Sequence, residues 1–358
     1  MARLGSLTWL AFSAAACGQP AAGSADAGGL SAAGRTSAGP AEAGAPWREP
    51  GGANAADAAA GGDAGPSDAS TVDAASARLG CLEFSEPVPV GSIEAPELDQ
   101  LSGLVASRTQ DGVLFAHEDS TGAPLLYALD TRGRTLAVFT LSGAPNDDWE
   151  DIAIGPGPAG PSLFIADIGD NAVRNNGTPR GELQVIRLPE PSVALDGSSG
   201  ERALSEVEVL RLSYPEGAHD AETLMVHPIT GELVIVTRSA VGDSRIFRAP
   251  GSTPADTPTL LEEIGRLAFD SSGQGANATA GDISPTGDRV LLRTYTRVYI
   301  WPATPGMALD AVFGRTPVTR DWAVEPQGEG ITFSMDGRAW LAAGEREPTI
   351  YRADANCR

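Results

Sequence analysis

Five segments of one design recur between residues 102 and 331, and this repeat limits the fold more than any bulk property of the chain. They begin at Ser102-Gly103-Leu104, Glu150-Asp151-Ile152, Glu222-Thr223-Leu224, Gly281-Asp282-Ile283 and Glu329-Gly330-Ile331, at intervals of 48, 72, 59 and 48 residues. Turns built on Gly, Pro or Asp follow, among them His227-Pro228-Ile229-Thr230-Gly231, Pro285-Thr286-Gly287-Asp288 and Met335-Asp336-Gly337. A second, more apolar run comes next in every unit: 113–116, 163–166, 233–236, 290–292 and 340–343. Short apolar runs bounded by turns are what a strand covered on both faces requires.

A third strand is expected at 125–129, 183–188, 245–249, 298–301 and 349–352. A fourth, with alternating polar and apolar residues, follows most of these, as at 136–141 and 206–212. Alternation marks a half-exposed outer strand. Four antiparallel strands per unit, repeated along the chain, predict an all-β fold, a β-propeller of five four-stranded blades. The last unit runs out after three strands. Its outer strand is expected from residues 82–93, so that the amino-terminal strand closes the ring and Cys81 meets Cys357 in a disulfide. A sixth blade hidden in the 72-residue interval is the alternative. A β-sandwich would leave the repeated Glu/Asp-x-Ile/Leu starts without a reason.

Residues 1–16 have the outline of an export signal: Arg3, an apolar stretch from Leu7 to Phe12, then small residues before Cys17. This segment resembles the lipobox of bacterial lipoproteins, with Ala14 where leucine is usual, and the resemblance implies acylation of Cys17. The expected location is then the outer membrane, on its periplasmic face or at the cell surface, with plain secretion as the alternative. Residues 17–80 are rich in Ala, Gly, Ser and Asp and hold too little apolar area to offset ordering entropy. They are expected to form a disordered tether of roughly 45 Å mean span, leaving residues 81–358 as the propeller domain.

Charge removes further classes. All 25 basic residues are arginine, against 47 acidic ones, for a net charge of -22. Without lysine there is no Schiff-base amine and no P-loop lysine. So acidic a chain is not expected to bind nucleic acid by neutralising phosphate. No stretch reaches the 18 apolar residues of a membrane-spanning helix.

In such a ring, equivalent positions of the innermost strands converge on one rim, and here they are acidic. Glu150, Glu222 and Glu329 form one column, and Asp151 with Asp282 the next. Asp148, Asp220 and Glu325 stand just upstream, Asp167, Asp170 and Asn171 close a second strand, and His117, Glu118 and Asp119 come from the first unit. Crowded carboxylates repel one another unless something neutralises them. One remedy is Ca²⁺, which takes six to eight oxygen ligands; the candidate ligands are Glu150, Asp151, Asp167, Asp170, Glu222, Asp282 and Glu329. Zinc or copper would more often recruit Cys or several His. The other remedy is arginine, from Arg174, Arg238 and Arg293, with no metal at all.

For catalysis the candidates are Glu150 and His219, the latter beside Asp220 as a general base. His227, ahead of Pro228 in a turn, reads as structural, and Trp149 as a packing residue between blades. No Gly-x-Ser-x-Gly elbow occurs. Asp148-Trp149-Glu150-Asp151-Ile152-Ala153, Asp167-Ile168-Gly169-Asp170-Asn171 and Pro326-Gln327-Gly328-Glu329-Gly330-Ile331 resemble segments of exported bacterial propellers. More distantly they are similar to the phytase-like and esterase-like propeller group. The resemblance implies calcium on Glu150, Asp151, Glu222, Asp282 and Glu329, and phosphate, if bound, on Arg174 or Arg293. The chain departs from that group in lacking lysine and in counting five repeats where calcium-dependent phytases have six blades. Two functions follow as expectations: a tethered binding propeller with Ca²⁺ at its mouth and a small-molecule or protein ligand, or a calcium-dependent phosphoesterase or esterase-like hydrolase.

Overall fold

The computed structural model describes residues 81–357, apart from 120, 121, 256, 270–272, 323, 324 and 326. The expected export signal, Cys17 and the tether of residues 17–80 lie outside them.

Five antiparallel sheets stand side by side as blades. From the inside outward, blade 1 is Leu101–Ala106, Val113–Glu118, Leu125–Asp130 and Thr135–Leu141. Blade 2 is Trp149–Gly157, Gly160–Asp167, Leu183–Pro189 and Glu208–Ser213. Blade 3 is Ala221–Val226, Leu233–Thr237, Asp243–Ala249 and Glu262–Ala268. Blade 4 is Ala278–Ile283, Arg289–Thr294, Arg297–Pro302 and Val318–Asp321. Blade 5 is Gln327–Phe333, Ala339–Glu345 and Glu347–Asp354, completed by Val88–Ser92 from the amino-terminal side. Each inner strand packs beside those of both neighbouring blades, and Gln327–Phe333 returns to Leu101–Ala106. Among the described residues the ring therefore has five blades and no sixth.

The core lies between blades, which explains the apolar second strands. Phe115 and Phe139 of blade 1 pack with Ile152 and Ile165 of blade 2, Phe164 with Leu224 and Phe247, and Met225 and Val236 with Val290 and Tyr299. Leu291 and Ile300 meet Phe333 and Trp340, and Leu341 and Ile350 close onto Leu104 and Tyr127. Burying each such side chain stabilises the fold by about 1.5–3 kcal/mol. Every residue of Leu233–Thr237 is buried, whereas Glu208–Ser213 alternates.

Closure follows the expected route. Val88–Ser92 pairs antiparallel with Glu347–Asp354, Phe84 bridges Ala355, and Cys81 is bonded to Cys357. The 72-residue interval holds a crossover instead of a blade: after blade 2's third strand, Gly200–Leu204 leaves to pair in parallel with Thr135–Leu141 at the outside of blade 1. Thr259–Leu260 extends blade 2 likewise. These parallel additions, short and largely exposed, carry no repeat signature.

Near its start every inner strand slips by one residue against its partner, between Leu101 and Gly103, Trp149 and Asp151, Ala221 and Thr223, Ala278 and Ala280, and Gly328 and Gly330. The bulged residues are Ser102, Glu150, Glu222, Thr279 and Glu329. A bulge re-aims a side chain out of the ladder, so these five form one true column. This corrects the fourth unit: its equivalent of Glu150 is Thr279, and Asp282 sits two residues deeper than the repeat implied.

Candidate functional site

The bulges open the channel into a polar cavity of about 270 Å³ at the end where the inner strands begin, lined by Ser102, Glu150, Glu222 and Glu329. A second column completes its wall. The residue following the partner of the last position paired before each bulge is Asp119, Ile168, Arg238, Tyr295 or Glu345, and all but Ile168 line the cavity. Ile168 turns into the apolar layer between blades 2 and 3. Arg174 and Arg346 stand at the rim.

Arginine neutralises part of this acidity. Arg238 is ion-paired to Glu222 and its Nη2 donates to the Tyr295 hydroxyl at 3.3 Å, while that hydroxyl donates to Glu329 Oε1 at 2.9 Å. Burial pushes the Glu329 carboxyl up to about 7, although Tyr295, Arg238 and Arg293 pull it down. Arg174 meets Asp220 at 2.7 Å. Arg180 meets Asp167 at 2.7 Å, and its backbone N–H donates to Asp170 Oδ2.

Glu150 is the exception. Its side chain is buried, the residue being 6% exposed, and among the described residues its carboxylate has no hydrogen bond and no ion pair. Burial, and then Asp119, Asp148, Asp220 and Glu329, raise it well above the ordinary glutamate value. Asp148 is raised as well, by burial first, and Asp119, at the open rim, is held up to about 6 by desolvation, Asp148 and Glu345. Gly169 lets Glu150 and Asp148 approach: a Cβ there would lie 2.2 Å from Glu150 Oε1 and 2.5 Å from Asp148 Oδ2.

The seven acids expected to ligate one ion thus fall into three places. Glu150, Glu222 and Glu329 share the mouth. Asp167 and Asp170 are held at the edge of blade 2 by Arg180. Asp151 and Asp282 lie inside the channel, where each caps backbone N–H groups on the unpaired inner edges. Asp151 accepts from Ile152, Leu224 and Gly281 at 2.8, 3.0 and 3.3 Å. Asp282 accepts from Ile283 and Phe333, both at 2.8 Å, and pairs with Arg108 at 2.8 Å. Among the described residues no three of His, Cys, Asp and Glu are grouped to hold a metal ion, so the set is not one coordination sphere.

His219 does not line the mouth. Its ring packs on Tyr214 and Phe247 with Nε2 2.7 Å from Arg245 Nη1, and burial and Arg245 lower its pKa. His227 Nδ1 accepts the N–H groups of Ile229 and Thr230 at 3.2 Å, a structural role. Trp149 is buried edge-on to His117 between blades 1 and 2. Arg293 reaches neither the mouth nor solvent; it pairs with Glu325. Sequence reasoning missed Tyr295, Glu345, Arg346 and Arg180. The first two were detectable as a column beside Arg238, whereas the loop positions of Arg180 and Arg346 carry no periodic signal.

No protein-family model and no curated protein matches the chain. Among solved structures it is similar to a gluconolactonase of Xanthomonas campestris, at 13% identity and a TM-score of 0.41, over 76% of this chain and 98% of that one. An overlay this loose bears on neither activity nor ligand.

Proposed function

We propose that this propeller is a binding module whose acidic mouth accepts a cation at Glu150. The observation that carries the reading is a buried carboxylate facing a solvent-connected cavity with no positive partner among the described residues, while Glu222 and Asp220 nearby each have an arginine. Burying an unpaired, ionised carboxylate costs on the order of several kcal/mol, and a bound cation relieves that penalty. Ca²⁺ is the ion with which the mouth is first tested, although no three carboxylates are grouped to hold it among the described residues. Glu150, Asp148 and Asp119 would supply carboxylates, after closing on the ion, with water completing the shell. Asp151, Asp167, Asp170 and Asp282 are already committed to backbone or arginine and do not fit as ligands. Calorimetric titration with CaCl₂, beside EGTA-treated protein and the Glu150→Gln variant, tests this occupant: heat absent from the variant supports it, and equal heats in both dismiss Glu150 as the site.

The reading includes export and anchoring through Cys17, which rest on the amino-terminal sequence alone. Labelled palmitate should enter the parent and not Cys17→Ala; equal labelling of both rejects the anchor. A hydrolytic reading rests on the same raised carboxyl, since an acid whose proton is held more tightly by burial can serve as a general acid beside a second carboxylate. Phosphomonoester and carboxylester panels with Ca²⁺ or EGTA test it. Turnover lost on chelation and in Glu150→Gln favours the enzyme, and absence of turnover leaves the binding module.

A further inference from the structure

The mouth is much larger than one ion. At about 270 Å³ it lies near the lower end of small-molecule pockets, which start at roughly 300 Å³. Its lining is mostly polar: besides the charged groups, Gln100, Gln327 and Tyr295 face it. Charge sets the valence. Glu222 and the adjacent Asp220 each have an arginine, and Glu329 has the Tyr295 hydroxyl, which leaves Glu150 as the one buried mouth carboxylate without a partner among the described residues. A divalent ion wants more anionic oxygens than that, and no metal-holding trio is grouped among the described residues. A single positive charge on a body of several atoms satisfies both constraints. Arg238 already illustrates the chemistry in the same wall, its guanidinium held between Glu222 and the Tyr295 hydroxyl. At the rim, Arg346 holds a left-handed backbone, φ 59°, that is strained for a non-glycine residue.

We infer that the mouth is a binding site for a small polar amine, whose protonated nitrogen sits against the Glu150 carboxylate while the rest of the molecule fills the cavity towards Gln327 and Arg346. This rests on the proposed cation-accepting mouth and names its occupant. The experiment titrates the full chain with ethanolamine, 4-aminobutan-1-ol and CaCl₂ in parallel, reading heat and melting temperature, and repeats each titration on Glu150→Gln and Asp148→Asn. The expected result is saturable amine binding to the parent, weakened at least tenfold by Glu150→Gln and less by Asp148→Asn, with no comparable response to CaCl₂. Binding of CaCl₂ alone, lost in Glu150→Gln, overturns the amine and leaves the cation-accepting mouth standing. Silence towards all three overturns both, and amine binding that persists unchanged in both variants removes Glu150 from the site.

Discussion

Arg293 Nη2 and Glu325 Oε2 meet at 3.0 Å with neither side chain exposed to solvent. The same carboxylate oxygen accepts the Trp322 indole N–H at 2.6 Å, and Arg293 also donates to the Gly330 carbonyl. Removing one partner strands a charge in the interior, so Glu325→Ala should cost about 3–5 kcal/mol. Replacing both, as Arg293→Met with Glu325→Leu, should cost less than either single change. Gly328→Ala should reproduce the loss by another route, because its Cβ would fall 1.5 Å from Arg293 Nη2. Urea unfolding of these variants, of Arg293→Met and Glu325→Leu singly, and of the parent checks the order; additive losses in the double variant would contradict it.

Cys81 and Cys357 close a loop with a sequence separation of 276 around the whole ring. Chain entropy credits a loop of that length with about 5.6 kcal/mol as an upper figure. Cys357→Ser, or reduction, is expected to lower the melting temperature by several degrees. Hydrogen exchange should then rise first in Val88–Ser92, the strand that completes blade 5 from the other end of the domain. Uniform exchange across all blades would mean that the bond does not act through closure.

What could be read from the chain beforehand follows from where physical periodicity exists. The second strands are visible because both faces are covered, as at Leu233–Thr237. Three bulges are visible because they carry glutamate. The fourth blade misleads: Gly281-Asp282-Ile283 imitates Glu150-Asp151-Ile152, while the true bulge residue, Thr279, is uncharged and spends its hydroxyl on the Gly328 carbonyl of blade 5. Asp282 thus looked like a mouth ligand and is an edge cap paired to Arg108. The division of the acids between arginine and the cavity was not legible at all. It depends on which loop arginines reach inward, and Arg180 does so from a segment with no pattern.

The channel acids should behave as structural caps. Asp151→Ala leaves the Leu224 and Gly281 N–H groups without their acceptor, at about 1–3 kcal/mol for each orphaned donor. Asp151→Asn keeps one oxygen and should lose less. Neither change is expected to alter ligand titrations at the mouth. A lost titration in Asp151→Asn with unchanged melting would place Asp151 in the site after all.

The mouth should also leave a signature in the dependence of stability on pH. A carboxyl whose folded-state pKa is raised holds its proton more tightly in the fold than in the open chain. Its contribution is fully present at low pH and is lost as pH rises from about 4.5, the ordinary carboxylate range, through the folded value. Asp119 at about 6, Glu329 at about 7 and Glu150 all act in this direction. His117, buried and lowered to about 4, acts in the opposite one, losing stability as pH falls from about 6.5. The raw curve sums these effects, so the difference between Glu150→Gln and the parent is the informative quantity. The variant, which carries no charge to desolvate, should melt above the parent at pH 8, and the gap should close towards pH 5. Saturating amine at pH 8 should close it too, by supplying the missing positive partner to the parent alone. A variant that melts below the parent at pH 8 would mean that Glu150 is already neutralised in the free protein.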